Sequence, residues 1–144
     1  MKWKAVLFTM GVFATPVSAF DDNAIKQMCA EEWGNDYSMV AYCRDQQRGA
    51  AKKFDTYLEK AKLNSVLQTI VGDCVAEWNK DYSMLVYCTN QQLEAFSSLQ
   101  SLPDDVPQGV ITTIKSDCEV EWGSDFRMVE YCIEQQTEAW RSLQ

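Results

Sequence analysis

The sequence predicts an all-α fold: three tandem helical hairpins, about six helices, each stapled by one disulfide and stacked as a short repeat array. Three observations predict it. A 15-residue stretch recurs as "CAEEWGNDYSMVAYC" from Cys29, "CVAEWNKDYSMLVYC" from Cys74 and "CEVEWGSDFRMVEYC" from Cys118. Apolar residues on both sides of a central breaker fall four apart, the spacing of one helix face. Each copy also carries two Cys, placed symmetrically about an Asp.

The chain opens with Lys2 and Lys4, the apolar run "AVLFTMGVFATPV" and the small-residue site "VSA" ending at Ala19. A basic start, a short apolar core and small residues before a cut make a signal peptide, expected over residues 1–19. The run is shorter than the roughly 20 apolar residues a spanning helix needs, so no membrane insertion is expected. The remaining 125 residues are expected in the periplasm or secreted. Without Lys2 and Lys4, 13 basic residues fall to 11 against 21 acidic ones, a net charge of −10. So acidic a chain repels phosphate backbones and anionic lipid, which argues against nucleic acid as a partner. Its apolar content excludes a disordered chain.

In register on the first Cys, the copies agree at ten positions: that Cys, then Glu32, Trp33, Asp36, Met39, Tyr42, Cys43, Gln46, Gln47 and Ala50 in the first copy. A period in the forties means stacked supersecondary units, each too small to bury its apolar face alone. The expected units are residues 20–64, 65–103 and 104–144.

Within a unit, Ile25, Ile70 and Ile114 precede the first Cys by four residues and Trp follows it by four, forming one stripe of a first helix. A breaker comes next, "GN", "NK" or "GS". Asp36, Asp81 and Asp125 then stand where a carboxylate accepts from the free amides of a new helix. Met39, Cys43, Gln47 and Ala50 continue at helical spacing, extended by Phe54, and by Leu99 and Leu143 in the later copies. The pair "NS" at Asn64 and Ser65 marks a stop and a new cap. The segment "SLPDDVPQG" separates the second and third units.

The turn assigns the disulfides. Residues equidistant from the turn of an antiparallel hairpin meet, so Cys29 pairs with Cys43, Cys74 with Cys88 and Cys118 with Cys132. An even Cys count in an exported chain reads as such a framework. Each bond closes a loop of about 15 residues, worth roughly 3 kcal/mol in chain entropy.

Chemistry-bearing motifs are sparse. The chain has no His, which removes the usual general base and a common metal ligand. It has no C-x-x-C, nucleophile elbow or phosphate loop. No catalytic residue, metal site or cofactor is expected, and the chain is not expected to be an enzyme. Trp33 with Met39, and their counterparts, are expected in the hairpin core. Glu32, Glu77 and Glu121 are expected to help cap the neighbouring helix. Candidate binding residues are the Gln pairs (Gln46 and Gln47, Gln91 and Gln92, Gln135 and Gln136) and the four-spaced stripe Arg44, Arg48 and Lys52. The inner Gln of each pair is expected to tie its unit to the next, because an inward amide must find a partner.

The design resembles the disulfide-stapled α-hairpin repeats of some bacterial cysteine-rich proteins, without their repeated Leu-Gly/Ala-Tyr pattern, and implies no function. The expectation is an exported, non-enzymatic repeat protein that binds another protein as adaptor, inhibitor or immunity-type partner. The alternative is a carrier of a small ligand or glycan in a groove between hairpins.

Overall fold

The computed structural model describes residues 20–144; the signal peptide expected over 1–19 lies outside them. The described residues form six helices and no strand: α1 Asp22–Trp33, α2 Tyr37–Ala61, α3 Ser65–Trp78, α4 Tyr82–Ser98, α5 Gln108–Trp122 and α6 Phe126–Ser142. Each consecutive pair is one hairpin, and the bonds Cys29–Cys43, Cys74–Cys88 and Cys118–Cys132 staple them as expected, with Cα atoms 5.7 to 5.8 Å apart.

The helix starts follow capping chemistry. Asp36, Asp81 and Asp125 accept from the backbone N–H of Met39, Met84 and Met128 at 3.1, 3.2 and 3.3 Å. Asp21 and Asn64 do the same for α1 and α3. α5 has no side-chain cap and starts after Pro107, whose ring presets the backbone.

Each hairpin turn is a type II′ β-turn closed between the repeated Trp and Asp. The Asp N–H donates to the Trp carbonyl at 3.0 Å in the first hairpin and 3.1 Å in the others. The residue after the Trp takes φ between 51° and 58° and ψ near −110°, the first central position of that turn. Gly34 and Gly123 adopt it without penalty; Asn79 is the one non-Gly residue with positive φ among those described.

The second helices form a spine, α2 against α4 and α4 against α6, with α1, α3 and α5 beside their hairpin partners. α3 also packs on α2, whereas α4 and α5 do not touch. Hairpins one and two therefore share one core, built on Ile25, Ala51, Phe54, Ile70 and Leu85. Hairpin three has its own core of Val106, Ile111, Val129 and Ile133 with the Cys118 sulfur. Phe126 joins the two clusters and meets Phe96 edge-on at 5.0 Å. The segment between α4 and α5 is pinned rather than loose: Val106 is buried, and Arg141 donates two hydrogen bonds of 2.7 Å to Asp105.

Candidate functional site

The residue before the second Cys of each hairpin faces outward, because the Cys itself must turn toward its disulfide partner about 100° away around the helix. Tyr42, Tyr87 and Tyr131 occupy that place, and each is more than half exposed. Burial did not force an aromatic there, yet all three copies have one. In hairpin two, Tyr87 shares a groove with Trp78, the residue that ends the first helix. Trp33 and Trp122 are exposed by a little over a third, and Trp78 is more covered.

This corrects the expectation that Trp33, Met39 and their counterparts form the hairpin core: of them, Trp78 alone packs against a core cluster. The core instead uses the Ile, Cys and Val or Leu positions deeper in each hairpin. α1 touches only α2, and no third helix covers the turn end, so an indole there has one flank packed and one open. Met39, Met84 and Met128 are half-buried.

Between hairpins two and three these side chains converge on an open groove of about 450 Å³, lined by Trp78, Tyr87, Gln91, Met128 and Tyr131, with Glu77 at its side. Glu32, Glu77 and Glu121 are exposed and take no part in the caps, which the Asp carboxylates make. That corrects the expected role of the repeated Glu; the shorter Asp side chain at the turn already occupies the free amides.

The Gln pairs divide by position. Gln47 is buried; its Nε2 donates to Asp81 Oδ1 at 2.9 Å and its Oε1 accepts from the Ser83 N–H at 3.2 Å. Gln92 repeats this on the third hairpin, to Asp125 Oδ1 at 3.0 Å and from the Arg127 N–H at 3.4 Å. The inner Gln thus clamps the cap of the next hairpin. Gln136 is the third copy, and it is exposed. Gln46 and Gln135 are exposed too, and Gln91 lies in the groove.

The basic stripe does not present three free cations. Arg48 is turned to Asp22, with Nε to Oδ1 at 2.7 Å and an Nη at 3.3 Å from Oδ2. This contact, with Lys26, lowers the Asp22 carboxyl from 3.8 to about 2. Arg44 is half-buried with its Nε covered and unbonded, and Lys52 is exposed. The cause is register: Arg44 sits where hairpins two and three bury Thr89 and Ile133, so on the first hairpin it covers the outer side of the stack.

No group of three or more His, Cys, Asp or Glu is placed to hold a metal ion among the described residues. Three disulfides suggest an oxidising extracellular or periplasmic location. No described helix is long and apolar enough to cross a membrane. Comparison with family models, curated proteins and solved structures gives no match, so the site is read from its own chemistry.

Proposed function

We propose that the chain is an exported, non-enzymatic interaction protein, delivered by its N-terminal signal segment, that binds another protein through the face bearing Tyr42, Tyr87 and Tyr131. One observation carries this reading: three register-equivalent tyrosines remain exposed beside a Cys that the fold buries in hairpin one and half-buries in hairpins two and three. Tyr and Trp supply large contact area at low entropy cost and dominate the energetic centres of protein interfaces. Their repetition at a fixed spacing suits an extended segment lying across all three hairpins, as helical repeat stacks commonly bind. Flanking Glu32, Glu77 and Glu121 favour a segment with basic residues.

The test is chemical crosslinking in the exported fraction of the native source, followed by capture of the chain. A specific protein partner is expected, lost when Tyr42, Tyr87 and Tyr131 are all replaced by Ser. Capture that recovers no specific partner, or one indifferent to that triple substitution, rejects the proposal.

The groove of about 450 Å³ beside Trp78, Tyr87 and Gln91 supports a second reading, a glycan or small polar ligand stacked on the aromatics. A ligand of that kind would displace the captured protein or raise the melting temperature alone. The commitment of Gln47 and Gln92 to internal hydrogen bonds takes two amides away from it.

A further inference from the structure

The two internal joints use the same parts. At each, the incoming hairpin offers a capping Asp, the aromatic after it and a polar turn residue. The receiving hairpin offers a Gln, a carboxylate (the α1 cap Asp21 at the first joint, Asp73 within α3 at the second) and an aromatic (Phe20 ahead of α1, Phe96 within α4). At the first joint these are Gln47 to Asp81, Tyr82 edge-on to Phe20 at 6.3 Å with its hydroxyl on the Asp21 N–H, and Lys80 to Asp21 at 2.7 Å. At the second they are Gln92 to Asp125, Phe126 on Phe96, and Ser124 to Asp73 at 2.6 Å.

Both halves of a third joint are present and unused. On hairpin one, Asp36 is exposed, and Tyr37, the counterpart of Tyr82 and Phe126, is 77% exposed where Tyr82 is 6%. On hairpin three, Gln136 is exposed. Leu143 is 82% exposed, where Leu99 and Phe54 at the same register are 8% and 3%. Gln136, Trp140, Leu143, Val110 and Ile114 line an open groove of about 430 Å³. Asp117, the register counterpart of Asp73, is exposed, as is Asn35, the counterpart of Ser124.

We infer that a second copy of this chain occupies this groove, head to tail: Gln136 of one copy clamps Asp36 of the next, and Tyr37 enters the trough beside Trp140 and Leu143. Charge selects this over a tail-to-tail pair. Residues 104–144 carry nine acidic and three basic side chains, net −6, whereas residues 20–64 carry eight and seven, net −1. Two third hairpins repel, and a third against a first hairpin, with its Arg44, does not. Such a contact joins different surfaces on the two copies, so it propagates into a chain or a ring.

The test is sedimentation velocity of the oxidised chain beginning at Phe20, from micromolar to millimolar concentration. Wild type is expected to grow in mass with concentration. Tyr37→Glu and Leu143→Glu, both at exposed positions, are each expected to run as monomers with unchanged far-UV circular dichroism, while their equimolar mixture forms a heterodimer and nothing larger. Gln136→Glu is expected to abolish association by facing the Asp36 carboxylate, and adding Asp36→Asn is expected to restore it, since Asn caps a helix as well as Asp. Wild type that stays monomeric throughout overturns the inference. So does Tyr37→Glu that still dimerises alone, which is the tail-to-tail outcome, or a mixture that fails to pair.

Discussion

Replacing the inner Gln of each hairpin by Ala turns the repeat into its own control, because the same residue type sits at the same register in three environments. Gln47 is buried and gives one hydrogen bond to an ionised carboxylate at 2.9 Å and takes one from a backbone amide at 3.2 Å. Bonds of these two kinds are worth about 1.5–3 and about 0.5–1.5 kcal/mol. The freed side chain regains roughly 1–2 kcal/mol of rotamer entropy. Gln47→Ala is therefore expected to cost about 2 kcal/mol net. Gln92 is half-buried and its second bond is 3.4 Å long, so Gln92→Ala is expected to cost about 1 kcal/mol. Gln136 is exposed and makes none of these bonds, so its replacement is expected to fall within about 0.5 kcal/mol of zero. The assay is urea unfolding of the oxidised protein followed by far-UV circular dichroism, at a concentration that keeps it monomeric. The order Gln47, Gln92, Gln136 is the result that matters. A Gln136→Ala cost equal to that of Gln47→Ala would refute the joint as the reason for the repeated amide.

Asn79→Gly is expected to stabilise the protein by about 1 kcal/mol, since Asn79 holds φ 51° in a turn position that glycine enters freely; an unchanged or lower urea midpoint would contradict the turn assignment. Replacing Cys118 and Cys132 together by Ser removes a staple worth roughly 3 kcal/mol. Because α4 against α6 is the one helix packing between hairpins two and three, beside the Ser124 to Asp73 hydrogen bond, this loss is expected to release α5 and α6 to hydrogen exchange while α1 to α4 stay protected. Exchange rising equally in all six helices would show that the two cores are one cooperative unit. The lowered Asp22 carboxyl contributes stability that is present above its ordinary pKa of 3.8 and is lost as pH falls through about 2. The stability gap between wild type and Asp22→Asn, measured by thermal melts, should therefore be largest near pH 6 and close between pH 4 and pH 2; a gap independent of pH would exclude the Arg48 pair as its source.

The reading of Trp33 as core and of Glu32 as a cap failed for related reasons. Helical spacing reports which residues share a face but not whether anything covers that face. At the turn end of hairpin one nothing does, so an apolar stripe that starts inside at Ile25 emerges at Trp33 more than a third in solvent. The Arg44, Arg48 and Lys52 stripe shows the same limit. Periodicity placed the three together; only the position of α1 and Asp22 took Arg48 out of use. The signal that Arg44 and Arg48 face the outer side of the stack was present in the aligned copies, where Thr89 and Leu93, and Ile133 and Thr137, replace them. The exposed Tyr positions were equally visible as neighbours of an inward Cys.

By itself the sequence determined the unit: its two helices, its turn, its capping Asp and its disulfide, because all of these depend on residues within about fifteen positions of one another. Tertiary structure alone decided which repeated side chains are spent and which are left over. The same Gln is a buried clamp in hairpin one and an exposed amide in hairpin three, and the same aromatic is buried at Tyr82 and open at Tyr37. A local pattern fixes a residue's direction from its own helix; the presence of a neighbour on that side is set by the order in which the hairpins stack.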